Sequence, residues 1–289
     1  MKRYLPAVFM AMACSVSLAP QAEADDGRLI ATGGGTSIDG AAGGGITPWA
    51  VITSYGDEGQ WGASAFATRV WLPDYRLDVA GLAASWNNRV ELSYAHQDFN
   101  LGSLVHKLNL PQDHLGMDIF GAKVRLFGDL IYDRLPQVSL GLEYKHQNDF
   151  LIPSLVGAKR DADVDGYLTA SRLFMGAFFG YNLVVNGGVR YSRANENGLL
   201  GFGGDRRDSR SVLKEGSVAV LVNPHWAMGV EYREKPDNLS FAGESDWADL
   251  FVGYFPNKHL SFVLAYAQLG EIATLNNQNG TYLSVQGAF

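Results

Sequence analysis

Apolar and polar residues trade places at every second position through much of this chain, the pattern of strands with one greasy and one polar face. Val90, Leu92 and Tyr94 share one parity, and Arg89, Glu91 and Ser93 the other. Phe120, Ala122, Val124 and Leu126 alternate with Lys123 and Arg125. Val138, Leu140, Leu142 and Tyr144 oppose Ser139, Glu143 and Lys145, while Leu183, Val185, Val189 and Tyr191 oppose Asn186, Arg190 and Ser192. Trp226, Met228, Val230 and Tyr232 oppose Glu231 and Arg233. Runs of roughly 9–11 residues suit tilted strands that cross a bilayer. The polar faces carry opposite charges in quantity, as a solvated lumen would.

The alternation predicts strands at 61–72, 75–86, 88–99, 115–127, 137–147, 164–175, 181–193, 211–222, 225–234, 246–255, 259–269 and 281–289. From about residue 86 onward the connections alternate between short and long. Outer-membrane barrels have short periplasmic turns and long outer loops. Counting back from the C-terminus, only Pro73-Asp74 breaks that rule, as a short outer loop. Aromatic residues near strand ends (among them Trp61, Trp86, Trp247, Phe255 and Tyr282) fit interfacial girdles. No helix can do the crossing: the longest nearly apolar stretch, Leu173 to Val185, falls short of the ~18 residues required and contains Asn182. A closed barrel is the other way to satisfy every backbone group in lipid. The expected fold class is therefore all-β, an antiparallel transmembrane β-barrel of about twelve strands, with fourteen possible.

The beginning of the chain is different. Lys2 and Arg3, an apolar run from Leu5 to Leu18, and Ala22-Glu23-Ala24 read as a secretory signal over residues 1–24. Cys14, the sole cysteine, lies within it, which leaves the remainder without disulfides or thiolate metal sites. Residues 25–60 form a glycine-rich segment, with seven glycines among residues 33–48, before the barrel at 61–289. Three readings stand: a flexible periplasmic leader, a partial plug folded into the lumen, or two further strands at 28–33 and 46–55. The opening GRLIATGGGTSIDGAAGGGITPWAVIT resembles that of a bacterial outer-membrane family catalogued as a domain of unknown function, family 3034. The resemblance implies a barrel in a Gram-negative envelope and no assigned activity. Similar openings also occur in barrels linked to uptake of aromatic compounds.

Charge narrows the partners. A formal net charge of −7 does not suit nucleic acid. Outer-membrane lipid, lipopolysaccharide and the barrel-assembly machinery are the expected partners, the last through Phe289 at the end of an alternating strand. Arg89, Glu91, Lys123, Arg125, Glu143, Lys145, Arg190, Glu231, Arg233 and Asp249 are the expected pore-lining residues, either pairing to close the lumen or setting a field across a narrow passage. Asp161, Asp163 and Asp165 followed by Gly166 fit the start of a calcium loop, but position twelve is Arg172 instead of Glu. No cofactor and no catalytic motif is read. The expected function is a channel for passive or facilitated uptake of small solutes. The alternatives are a closed structural or adhesive barrel with partner-binding outer loops, and an outer-membrane enzyme.

Overall fold

The computed structural model describes residues 30–289; the secretory signal read at 1–24 lies outside them. Two short strands come first, β1 (Gly35–Thr36) and β2 (Ala42–Gly43), paired as a small hairpin. Twelve long ones follow: β3 (Trp61–Trp71), β4 (Arg76–Trp86), β5 (Val90–Asn100), β6 (His114–Phe127), β7 (Gln137–Gln147), β8 (Ala162–Phe178), β9 (Tyr181–Ser192), β10 (Ser211–Asn223), β11 (Trp226–Arg233), β12 (Trp247–Tyr254), β13 (Leu260–Gln268) and β14 (Asn279–Ala288). Each pairs antiparallel with its chain neighbour, and β14 pairs with β3 to close the barrel. The terminal residue completes that seam: Phe289 exchanges two 2.8 Å backbone hydrogen bonds with Ala63. Residues 46–55 do not join the wall, so the fourteen-strand alternative is overturned.

Alternation sets which side chains face in. Along β7, Gln137, Ser139, Glu143, Lys145 and Gln147 are buried while Leu140, Leu142 and Tyr144 are exposed. The same inversion holds around the wall, where Leu82, Leu92, Phe120, Val189, Val230, Leu250 and Leu264 all point outward. A soluble sandwich would bury these faces; a continuous apolar outer belt on a closed sheet belongs in lipid. Leu142 sits midway along β7, so Leu142→Arg is expected to cost about 2–4 kcal/mol of unfolding free energy in lipid vesicles, against about 0–1 for Tyr132→Arg in the β6–β7 turn. Equal losses at the two sites would show that the belt is not in lipid.

One end of the barrel carries tight turns such as Asn87–Arg89 and Phe179–Gly180; the other carries long connections, apart from the short one at Pro73-Asp74 between β3 and β4. Two of these hold short helices, α1 (Ser103–Leu108) and α2 (Leu151–Leu155). A third contains a single helical turn, Asn195–Gly198, with left-handed φ at Glu196 (43°) and Asn197 (60°). At the turn end, exposed aromatics form a girdle, with Trp61 against Trp86 (ring centroids 6.3 Å) and Trp226 against Tyr254 (4.5 Å). Trp247, Phe255 and Tyr282, expected in such a girdle, are buried instead, as are Tyr75 and Phe99. Nearness to a strand end did not distinguish inward from outward parity.

Candidate functional site: a plugged lumen

Residues 32–56 occupy the inside of the barrel, and nearly every one of them is buried. Of the three readings of the glycine-rich segment, the structure selects the plug. Three clusters of charge fasten it to the wall.

The first lies on β5 and β6. Glu91 accepts hydrogen bonds from the backbone N–H of Ala42 (3.0 Å) and Thr53 (2.7 Å). Lys123, paired with Glu91 at 3.1 Å, donates to the carbonyls of Ala42 (2.9 Å) and Trp49 (3.3 Å). Two opposite charges thus satisfy backbone donors and acceptors that the small β1–β2 hairpin and its flanking chain leave over.

The second centres on Asp39, the only charged residue between positions 30 and 56. Its carboxylate meets Arg233 at 2.7 Å, Lys145 at 3.4 Å and Arg190 at 3.9 Å. Those cations are shared with wall carboxylates: Arg190 with Glu143 and Glu215 (both 2.6 Å), and Lys145 with Asp165 (3.2 Å). Asn197 descends from the long-loop end onto the same node. It donates to Asp39 (2.6 Å) and accepts from Lys145 (2.8 Å) and Arg233 (2.7 Å). The left-handed turn at 195–198 therefore lets one loop grip the plug from above.

The third is Glu231, which accepts from the N–H of Gly45 (2.6 Å) and Ile46 (2.9 Å) and from the Thr47 hydroxyl (2.5 Å). Gly44 packs so closely on this carboxylate that any Cβ there would overlap Glu231 Oε1. Neutral contacts finish the seat: the Ala50 carbonyl accepts from Gln137 and Ser139, both at 2.6 Å.

Eight of the ten expected lining residues therefore face the lumen, and six of them, Glu91, Lys123, Lys145, Arg190, Glu231 and Arg233, hold the plug instead of bordering a passage. Arg89 lies exposed in the β4–β5 turn, one residue before the strand. Arg125 is half-buried at the rim, bonded to the Gly128 carbonyl and Asp129. Residues that the sequence reading missed include Asp39, Asn197, Glu215 and the lumen role of Asp165. A lone charge amid glycines was the available signal for Asp39; nothing local pointed to Asn197.

The expected calcium loop is corrected. Residues from Ala162 onward are strand, so Asp163 and Asp165 project one after the other along the inner face, successive inward positions being some 6–7 Å apart. Asp163 is bound by Arg193 and Arg210, Asp165 by Lys145, and Asp161 is exposed before the strand. Among the described residues no three acidic or histidine side chains converge as a metal site.

A separate buried cluster lies under the long loops. Lys235 pairs with Glu196 (2.6 Å) and Glu244 (3.3 Å) and lies over the Trp247 ring (4.8 Å). One lysine cannot neutralise two carboxylates, and Glu196 holds the closer contact. Burial, with the neighbouring Glu196, pushes Glu244 up to about 8. A carboxyl whose folded pKa is raised binds its proton more tightly folded than unfolded, so stability falls as pH rises from the ordinary carboxylate range to about 8 and then levels. Proteolysis of the 235–246 loop is expected to speed up across that window and to lose this dependence in Glu244→Gln. An unchanged pH profile in the variant would refute the assignment.

The model of a family described as a protein of unknown function (DUF3034) matches residues 32–286. No curated protein matches the chain. Among solved structures, a KdgM porin aligns at a TM-score of 0.50 and 10% identity, covering 78% of this chain and 99% of the porin. A NanC porin aligns at 0.46 and 11%, covering 78% and 98%. Omp33 of Acinetobacter baumannii aligns at 0.45 and 8%, covering 80% and 99%. At such identities the likeness concerns the fold, which is that of outer-membrane β-barrels.

Proposed function

This chain belongs to the DUF3034 family of proteins of unknown function, and we propose that it is an outer-membrane channel for small solutes, closed by its own N-terminal segment. The observation that carries this reading is how the plug is held. Its charged contacts and the seat at Ala50 are hydrogen bonds and ion pairs, which water can replace, and no disulfide secures it. With the plug displaced, the wall would present Glu91, Lys123, Glu143, Lys145, Arg190 and Arg233 to water, a lining suited to passive or facilitated passage of small polar solutes. The proposal includes export through the signal at 1–24, recognition of the terminal Phe289 strand by the barrel-assembly machinery, and lipopolysaccharide around the long loops. It assigns no catalytic role to the lumen groups.

The test is planar-bilayer conductance of the intact protein against a barrel from which residues 33–56 are excised, with heat-modifiable migration on gels confirming the fold of both. The intact barrel is expected to be mostly silent and the excised one to conduct in discrete steps. Silence in both would overturn the channel and favour a closed structural barrel.

A further inference from the structure

Glu231 and Asp249 stand opposite one another on β11 and β12, both turned into the lumen. Their carboxylates converge at Gly45: Glu231 Oε2 lies 3.4 Å, and Asp249 Oδ2 3.5 Å, from the point that a Cβ on Gly45 would occupy. The two groups have different surroundings. Glu231 takes three donors from the plug. Asp249 is 5% exposed and neither of its oxygens has a hydrogen-bond donor. Among the described residues no cation pairs with either one. Arg233, two positions along β11, is turned to Asp39 and Glu215. The other elements around the pair bring only neutral groups: Ser217 from β10, Ala267 from β13, the Tyr282 hydroxyl from β14, and Thr47 with the backbone of the plug.

Charge bookkeeping across the lumen points to the same place. Seven buried carboxylates face four buried cations in the three clusters and Asp249. Glu91 is balanced by Lys123, and the Asp39 node has one carboxylate in excess, so two of the three excess carboxylates are Glu231 and Asp249. A bare carboxylate buried beside another is relieved by a proton or by a cation. The N–H groups of Gly45 and Ile46 aim their positive ends at Glu231, the position a metal ion would need. A proton needs only that the two carboxyl groups, cross-strand partners that both reach Gly45, lie side by side.

We propose that Asp249 carries a proton which it donates to Glu231, and that this proton latches the plug: once it is lost, Asp249 repels Glu231 and the turn at 45–47 lets go. The latch rests on the reading of residues 32–56 as a displaceable plug and adds how its release is controlled.

Two measurements on the full chain in lipid vesicles test it, neither of which requires conductance. Infrared spectroscopy at neutral pH is expected to show a component of the protonated-carboxyl C=O stretch that is lost in Asp249→Asn but kept in Glu244→Gln, and that fades as pH rises. Hydrogen exchange at Gly45 and Ile46, corrected for its intrinsic pH dependence, is expected to lose protection in parallel, by up to about tenfold per pH unit, the slope of one proton. Asp249→Asn, whose amide donates to Glu231 at any pH, is expected to keep its protection. A spectrum with no band lost in the variant, as a bound metal ion would give, overturns the proposal. So does a variant whose protection falls as steeply as the parent's. A plug-excised barrel that never conducts would sink the channel reading while these two measurements still decide the proton.

Discussion

Asp39→Ala is expected to lower the stability of the barrel by about 3–5 kcal/mol, the usual cost of stripping one partner from a buried ion pair. Asp39 is the group on which Arg233, Lys145 and Arg190 converge, and Asn197 donates to it as well. Removing its carboxylate leaves three crowded cations that must share the wall carboxylates Glu143, Asp165 and Glu215 at 2.6–3.2 Å. The loss falls most on Arg233, whose closest ion pair is with Asp39 at 2.7 Å and whose wall carboxylate, Glu215 at 3.2 Å, is held more closely by Arg190. Guanidinium unfolding followed by tryptophan fluorescence measures the change, and Asp39→Asn separates charge from shape. A loss below about 1 kcal/mol would place this node with surface ion pairs and remove it as an anchor. Where the plug yields before the barrel does, the same substitution is expected to produce flickering conductance.

Gly44→Leu is expected to unseat the plug by the opposite route, overfilling. A Cβ at this position overlaps Glu231, whose carboxylate is fixed by three plug donors and cannot swing aside without breaking them. Overpacking of this kind costs about 1–3 kcal/mol or more. Here the strain is relieved by expelling the turn rather than by unfolding the wall. Hydrogen exchange should show Gly45 and Ile46 losing protection while the amides of β11 keep theirs. Gly187→Ala is the control, because nothing lies within 4 Å of a Cβ there. Loss of protection in β11 to the same degree would mean that plug and wall form one cooperative unit.

The two variants exploit features with unequal visibility in the sequence. Strand positions could be read almost to the residue: β7 was expected and found at 137–147, and β3 at 61–72 against Trp61–Trp71. Face assignment was equally legible for Glu91, Lys123, Glu143, Lys145, Arg190, Glu231, Arg233 and Asp249, because parity is a local property. It failed at the margins. Arg89 shares parity with Glu91 but lies in the turn, and Trp247 and Tyr282 sit near strand ends yet point inward. The aspartates at 161–165 show another limit, since a short acidic motif reads alike in a loop and in a strand until pairing with β7 decides.

What the sequence by itself determined is the wall: two-residue periodicity fixes strands and their lipid-facing side, and alternating loop lengths tell the turn end from the long-loop end. What only the tertiary structure decided is the content of the lumen. Seven glycines in sixteen residues permit a leader, a plug or a strand, since glycine encodes freedom rather than a conformation. The plug is selected by contacts between residues far apart in the chain, such as Asp39 with Arg233 and Gly45 with Glu231. Such contacts leave no periodic trace, because they depend on where a closed sheet brings its inner faces together.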